Sequence, residues 1–268
     1  MAPSDSVPSV LTIAGSDSSS GAGIQADLKT FSAFKVYGTC AITAVTAQNT
    51  KNVVDIHEVP IDIIISQIST VLEDIKVDVI KTGMLSSNTI IESVTAYLTK
   101  TQPKTLVVDP VMVSKSGHRL LLDDAVSALT TQLLPLATVV TPNIPEAEVL
   151  SDMKIKSIQD SHEAARRIIS LGSKSVIIKG GHLEGPPIDL FYDGYTFQEF
   201  SAPRIKTKNT HGTGCTFASA IAANLAKGED IIKAIEKSKT YVTNAIRQTY
   251  QIGHGNGPLN HFYKWWGT

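Results

Sequence analysis

The sequence predicts an α/β protein in which helices cover both faces of a mainly parallel central sheet, a three-layer α/β/α sandwich. Two observations lead to this fold. Short apolar runs alternate along the chain with longer stretches of helical periodicity, and such alternation is typical of right-handed βαβ units. Several of the short runs are apolar throughout, as strands are when helices bury them from both sides.

The elements follow from these patterns in chain order. Strands are predicted at 10–14, 41–47, 77–80, 106–108, 139–140 and 176–178, and helices at 24–34, 61–73, 87–98, 123–134 and 157–171. Two further apolar runs, at 188–192 and 196–200, flank Asp193 and Gly194, a residue pair typical of turns. We therefore expect a hairpin that extends the sheet.

Composition excludes several classes of function. The length of 268 residues suits one α/β domain, which we expect over 1–268. Lys and Arg number 24 against 25 Asp and Glu, so the net charge of −1 favours neither nucleic acid nor an anionic membrane as partner. No apolar stretch approaches the roughly 18–20 residues needed to span a bilayer. The small net charge instead favours a small-molecule partner. The two cysteines are far apart and no glycosylation sequon occurs, which predicts a cytoplasmic protein.

The segment 209–216 is the most informative stretch of the chain. It places Gly212, Gly214 and Cys215 at the start of a predicted helix. Phe217, Ile221 and Leu225 share one face of that helix, and Gly228 stands where the helix should end. A helix start presents unpaired N–H groups, and glycines let an anion approach the backbone closely, so this is a candidate phosphate site. A glycine-rich turn before a buried helix, with an inert thiol, explains the same residues.

Polar residues after the first two predicted strands are candidates for substrate binding. The loop 15–23 would wrap a substrate, with Asp27 in the following helix accepting hydrogen bonds from it; alternatively Asp27 satisfies the helix N-terminus. Gln48 carries one acceptor and two donors, a set that suits an aminopyrimidine edge, although a glutamine in a loop is often only solvated.

Oxygen-bearing side chains at later strand ends are candidates for a metal site. Asp109 ends one strand, and Asn143 and Glu146 follow another, so these three residues are suited to Mg²⁺, directly or through water. Asn143 and Glu146 also fit a helix cap. Lys179 ends a further strand, where it would face a nucleotide phosphate or remain a solvated charge.

Common nucleotide and hydrolase signatures are absent from the sequence. There is no Gly-x-x-x-x-Gly-Lys-Ser/Thr motif, no Gly-x-Gly-x-x-Gly motif after a strand, and no His-Glu-x-x-His zinc motif. His211 lies four residues before Cys215, but this spacing does not establish a base and nucleophile. A nucleotide site must therefore use the helix start at Gly212 and Gly214.

Taken together, these segments resemble the hydroxymethylpyrimidine/phosphomethylpyrimidine kinases of thiamine biosynthesis, which have the ribokinase-like fold. The resemblance extends over nearly the whole chain, to Trp265 and Trp266. It rests on LTIAGSD at 11–17, GAGIQADLKTF at 21–31, TAQNT at 46–50, GML at 83–85, DPVM at 109–112, TPNIPEAE at 141–148, KGGH at 179–182 and KNTHGTGCT at 208–216. Ser18, Ser19 and Ser20 depart from the family pattern, in which a proline or another glycine is common.

The resemblance implies a reaction and assigns residues to it. The reaction is ATP-dependent phosphorylation of 4-amino-5-hydroxymethyl-2-methylpyrimidine and then of its monophosphate, with Mg²⁺, in a homodimer. The pyrimidine side is implied to be Gly15, Asp27, Gln48, Met84 and Val111; the nucleotide side Lys179, Thr210, Gly212 and Lys239; the Mg²⁺ and phosphate site Asp109, Asn143 and Glu146.

Cys215 occupies the position where most of the ribokinase-like superfamily has an aspartate base, and the resembling kinases have cysteine. Because a helix N-terminus lowers a thiol pKa, we expect a thiolate that accepts the substrate proton, or a thiol that orients the hydroxyl. Two other functions are compatible with the sequence. One is a pyridoxal kinase of the same fold, and the other is a non-catalytic protein that binds a pyrimidine or vitamin B6.

Overall fold

A sheet of nine strands runs through the part of the chain that the structure, a computed structural model, describes, which is residues 7–113, 123–183 and 185–266. The strands are β1 (Ser9–Asp17), β2 (Tyr37–Gln48), β3 (Val53–Glu58), β4 (Val79–Thr82), β5 (Leu106–Val108), β6 (Val139–Val140), β7 (Val176–Ile178), β8 (Ile188–Tyr192) and β9 (Phe197–Ser201). Their order in the sheet is β3-β2-β1-β4-β5-β6-β7-β8-β9.

The six central strands are parallel, and the edges are antiparallel. β2, β1, β4, β5, β6 and β7 pair in parallel, whereas β3 pairs antiparallel with β2, and β8 with β7 and β9. The predicted hairpin is confirmed: β8 and β9 extend the sheet, and the Asp193 carboxylate accepts hydrogen bonds from two backbone N–H groups of the connecting turn. The carboxyl ends of the six parallel strands meet at one edge.

Helices cover both faces of the sheet. They are α1 (Gly23–Ala33), α2 (Ile61–Asp74), α3 (Asn88–Thr101), α4 (Asp123–Ala128), α5 (Ile144–Ser151), α6 (Ile158–Ser170), α7 (Thr213–Ala226) and α8 (Ile231–Arg247). α2 to α6 pack on one face, and α1, α7 and α8 on the other. Alternation along the strands fills both cores: Leu106 and Val108 point to the first, Val107 to the second. The predicted three-layer α/β/α fold is therefore confirmed.

Some element boundaries differ from the prediction for identifiable reasons. The strand predicted at 77–80 is displaced to Val79–Thr82, because Lys81 is buried within it through an ion pair that no hydropathy pattern reveals. The helix predicted at 123–134 consists of three consecutive segments. These are α4, a π-helical turn over Leu129–Leu133 and a 3₁₀ turn over Leu134–Leu136, which contains Pro135. β3 and α8 were not predicted, although Asp230 caps α8 by accepting a hydrogen bond from Lys233 N–H.

Within the described ranges, every helix is too short or too polar to cross a membrane.

Candidate active site

A pocket of about 680 Å³ lies at the carboxyl ends of the parallel strands. Open α/β sheets bind ligands at this edge. The pocket brings together all but one of the site residues that the sequence predicted: Gly15, Gln48, Met84, Asp109, Val111, Asn143, Glu146, Lys179, Thr210, Gly212, Gly214, Cys215 and Lys239.

Asp27 is the exception and requires a correction. Its side chain is completely buried behind the pocket wall. Oδ2 lies 2.9 Å from Lys81 Nζ and accepts a hydrogen bond from Thr12, while Oδ1 accepts one from Ser219 at 2.6 Å. The structure thus places Asp27 outside the pocket, because α1 turns the carboxylate toward the interior, where it accepts hydrogen bonds from Thr12, Lys81 and Ser219.

The wall formed by β1, β2 and the segment after β4 is mainly apolar. Met84 packs closely against Gly15, since a Cβ at Gly15 would lie 3.1 Å from the Met84 sulfur. Val111 lines the same pocket from the segment after β5. Gln48 supplies the polar group of this wall: its Oε1 accepts a hydrogen bond from Thr46 at 3.1 Å, and its amide nitrogen lies 3.3 Å from the His211 ring.

A buried pair, Asp17 and His211, supports this wall and was not identified from the sequence. His211 Nε2 lies 2.7 Å from Asp17 Oδ2, and Asp17 also accepts hydrogen bonds from the backbone of Gly21 and Ala22. Burial raises the pKa of Asp17, but the hydrogen bonds from His211 and Ser19 outweigh it and hold that pKa well below its ordinary value. The sequence showed Asp17 in the first strand-end loop and His211 before Cys215, but their separation of 194 positions gave no sign that the two side chains pair.

The start of α7 has the open backbone that the sequence predicted. Gly212 has a φ of +78°, and a Cβ there would lie 1.8 Å from the Gly21 carbonyl oxygen, so only glycine fits. Gly214 faces Lys179, whose Nζ would lie 3.2 Å from an added Cβ. Thr210 precedes this turn and accepts a hydrogen bond from the Thr213 hydroxyl through its carbonyl oxygen.

Two cations that line the pocket, Lys179 and Lys239, are both paired with carboxylates. Lys179 Nζ lies 3.0 Å from Asp109 Oδ1, which also accepts a hydrogen bond from Thr141. Lys239 Nζ lies 2.7 Å from Asp189 Oδ2 and donates to the Pro187 carbonyl. Lys239 therefore enters the pocket as half of an ion pair, and its partner Asp189 was not identified from the sequence.

Asn143 and Glu146 form a helix cap, the alternative that the sequence left open. Asn143 Oδ1 accepts a hydrogen bond from Glu146 N–H at 2.9 Å, and Glu146 Oε2 accepts one from Asn143 N–H at 2.8 Å. The oxygen of Asn143 that would bind a metal is thus engaged in the cap. Burial raises the pKa of Glu146 to about 7, although the nearby Lys179 acts in the opposite direction.

Cys215 lies where the N-termini of α1 and α7 converge, close enough to the Gly23 N–H for that group to lower the pKa of the thiol. The sequence predicted a lowered thiol pKa from the helix start. The structure corrects this: burial raises the pKa of Cys215 to about 12, even though the ammonium of Lys81 lowers it. Desolvation of a thiolate at the pocket floor outweighs the helix dipole.

Comparison with known proteins places this geometry in a family. The sequence profile of phosphomethylpyrimidine kinase matches residues 17–260. A hydroxymethylpyrimidine/phosphomethylpyrimidine kinase of Bacillus subtilis is 46% identical over 259 residues, which are 96% of each chain. The chain belongs to the phosphomethylpyrimidine kinase family.

Two further proteins are similar to this member of the phosphomethylpyrimidine kinase family, one of them a longer protein and the other a solved structure. A bifunctional thiamine biosynthesis protein of Geobacter sulfurreducens is 52% identical over 94% of this chain, which spans only 52% of that longer protein. A pyridoxal kinase of Bacillus subtilis, solved as an ADP complex, has a TM-score of 0.90 and 43% identity over 96% of this chain and 98% of its own. The family thus shares its fold closely with pyridoxal kinases.

Proposed function

We propose that this protein transfers the γ-phosphoryl group of ATP to 4-amino-5-hydroxymethyl-2-methylpyrimidine, and then phosphorylates the monophosphate to the diphosphate, in thiamine biosynthesis. The observation that carries the proposal is the single pocket in which an apolar, amide-bearing wall faces a glycine-rich helix start across Cys215. The name of the Bacillus subtilis kinase, which matches over 96% of each chain, supports the same substrate.

The wall of Gly15, Gln48, Met84 and Val111 suits the pyrimidine. Methionine and valine supply apolar contacts for the ring. Because His211 Nε2 lies 2.7 Å from Asp17, its ring proton is engaged there, and the Gln48 amide is left to serve a ring nitrogen and an exocyclic amine. Asp27 supports this wall from behind.

The helix start and Lys179 suit the transferring phosphoryl group. The N–H groups at Gly212, Gly214 and Cys215 have the orientation and partial positive charge that stabilise an oxyanion. Thr210 and the Lys239–Asp189 pair line the nucleotide side of the same pocket. In the step itself, the substrate hydroxyl oxygen forms a bond to the γ-phosphorus, the bond from that phosphorus to the β,γ-bridging oxygen breaks, and ADP leaves. Cys215 takes the hydroxyl proton as a thiolate, within a reaction that depends largely on positioning.

Mg²⁺ fits Asp109 and Glu146. These two buried carboxylates are close enough that Asp109 raises the pKa of Glu146, and Lys179 is the cation that faces both. Among the described residues no group of three or more His, Cys, Asp or Glu side chains could hold a metal alone. Mg²⁺ keeps several waters and also binds substrate phosphates, so one or two protein carboxylates are enough for it. When bound, Mg²⁺ would neutralise phosphate charge, with Asn143 fixing Glu146 through the cap.

The test offers the hydroxymethylpyrimidine, its monophosphate and pyridoxal separately with ATP and Mg²⁺. ADP formation is followed by a coupled assay and the products by mass spectrometry, with Cys215→Ala, expected to lose about 10²–10⁴-fold in turnover, as the comparison. We expect ADP with both pyrimidines and the diphosphate as final product. ADP with pyridoxal alone would establish instead the second candidate, which the ADP-bound pyridoxal kinase structure favours. Ligand binding without ADP from any of the three would identify a non-catalytic binding protein.

We further propose a cytoplasmic homodimer. The free cysteines Cys40 and Cys215 suit a reducing compartment. Three apolar side chains of β2 and β3, Tyr37, Val45 and Val54, are exposed, and a second copy packed along these strands would cover them. Light scattering of the purified protein at micromolar concentration should give twice the chain mass, and the monomer mass at all concentrations would contradict this assembly.

A further inference from the structure

The interior of the protein contains an ion pair that the proposed reaction does not use. Lys81 in β4 and Asp27 in α1 are both completely buried, and Lys81 Nζ lies 2.9 Å from Asp27 Oδ2. Removing two charges from water is so unfavourable that such a pair often contributes nothing to stability compared with apolar residues. Its location gives it another role.

The pair lies directly below the thiol of Cys215. Ser219, which donates a hydrogen bond to Asp27 Oδ1 at 2.6 Å, is four residues after Cys215 on α7 and therefore on the same helix face. On α1 the arrangement repeats, since Gly23, whose N–H contacts the sulfur, is four residues before Asp27. Two helices thus present the thiol at one level and the ion pair one turn below it. Lys81 also lines the pocket beside Cys215.

Four charged groups from separate elements act on the thiol, as two ion pairs. Lys179 after β7 is 3.0 Å from Asp109 after β5, and Lys81 is paired with Asp27. The first pair stands at the phosphate and metal end of the pocket, where ligands would engage it. In the second pair the Asp27 carboxylate lies behind the wall, and Lys81 is the member that lines the pocket.

We propose that Lys81, held in place by Asp27, is a positioning residue that favours the thiolate form of Cys215. The proposal rests on the proposed function, in which that thiolate accepts the proton of the substrate hydroxyl. Burial opposes ionisation of both partners. Burial raises the pKa of Cys215, as Asp109 and Asp27 also do, whereas Lys81 lowers it. Burial would lower the pKa of Lys81, but Asp27, with smaller contributions from Cys215 and Asp109, raises that pKa above its ordinary value. Asp27 therefore keeps the ammonium charged, and the ammonium favours the thiolate.

The test measures the reactivity of Cys215 without substrate. Lys81→Met combined with Asp27→Asn removes both charges without leaving one unpaired, and Lys81→Gln with Asp27→Asn is a second neutral pair. Iodoacetamide labelling of the peptide that contains Cys215 is followed by mass spectrometry from pH 7 to 9.5. The ammonium of Lys81 acts on Cys215 more strongly than the opposing carboxylate of Asp27. Removing both charges should therefore lower the thiolate fraction, and we expect labelling of Cys215 to slow severalfold at each pH in the neutral pairs. Turnover should fall with it while the KM for ATP stays unchanged.

Cys40 provides the internal control. Its pKa is raised by burial and by Asp27, so loss of the Asp27 charge should leave its labelling equal or faster. General loosening of the structure would instead speed labelling of both cysteines. Unchanged labelling of Cys215 in a folded neutral pair would overturn the proposal, as would failure of both pairs to fold, since the charges would then serve the fold. Absence of kinase activity in the unmodified protein, by contrast, would refute the proposed function and leave the labelling result standing.

Discussion

Two glycines at opposite ends of α7 allow a matched test of the proposed phosphate site. Gly212 precedes the helix with a φ of +78°, and Gly228 follows it with a φ of +81°. An alanine at either position takes the left-handed conformation, which costs about 1–2 kcal/mol. A Cβ at Gly228 meets nothing within 4 Å, whereas at Gly212 it would lie 1.8 Å from the Gly21 carbonyl oxygen. Comparing Gly212→Ala with Gly228→Ala therefore separates the effect of backbone strain on activity from the effect of displacing the phosphate site.

The magnitudes follow from these distances. Carbon and oxygen atoms approach to about 3.3 Å at closest, so Gly212→Ala must move the Gly21 loop and the helix start apart by about 1.5 Å. A displacement of about 1 Å at a reacting centre costs roughly 10²-fold in rate, and we expect at least that loss in kcat/KM. Gly228→Ala should retain full activity and lose only about 2–8 °C in melting temperature, the shift that 1–2 kcal/mol produces in a domain of this size.

The assay is steady-state kinase activity with the hydroxymethylpyrimidine, together with thermal unfolding of both variants. Circular dichroism establishes that each variant is folded before its rate is compared. A folded Gly212→Ala protein with unchanged kcat/KM would refute the placement of phosphate at this helix start. Equal losses of activity in the two variants would show that strain in α7, rather than the local displacement, controls the rate.

Three further predictions follow from the site. Gln48→Ala should raise the KM for the pyrimidine by about tenfold or more and spare the KM for ATP, because a buried polar edge without a partner costs about 1–3 kcal/mol. Asp27→Asn should leave the KM for the pyrimidine unchanged even where turnover falls, and an equal rise of that KM would return Asp27 to the substrate wall. Since the pKa of Cys215 is about 12, kcat limited by its thiolate should rise about tenfold per pH unit from pH 6 to 9. Cys215→Asp should flatten this rise, and Cys215→Ser with the original rate and pH profile would remove the base role. The pKa of Glu146 is raised from 4.5 to about 7 in the folded state, so its protonation stabilises the fold below pH 4.5, and this contribution is lost as the pH rises to 7. The difference in melting temperature between Glu146→Gln and the original protein should therefore shift in favour of the variant from pH 5 to pH 8. A difference that stays constant between these pH values would contradict the raised pKa.

The sequence alone determined the architecture of the sheet and most residues of the pocket. Continuous apolar runs such as Leu106–Val108 form strands whenever helices cover both faces, so local patterns sufficed for β5, β6 and β7. Strand ends of a parallel sheet meet at one edge, which is why polar residues far apart in the chain, such as Gln48 and Asp109, were correctly expected in one pocket.

Tertiary structure decided which of these groups face the ligand and in which state of charge. Asp27 has the charged side chain expected of a binding residue and follows a predicted binding loop. The packing of α1 beside β4 and α7 nevertheless buries it against Lys81 and Ser219. The helix start at Cys215 suggests a lowered pKa, yet the burial created by α1 and α7 together raises it. His211 has a partner, Asp17, from the opposite end of the chain. The physical reason is common to all three: hydrogen bonding and desolvation depend on distances between segments, and spacing along the chain does not contain them.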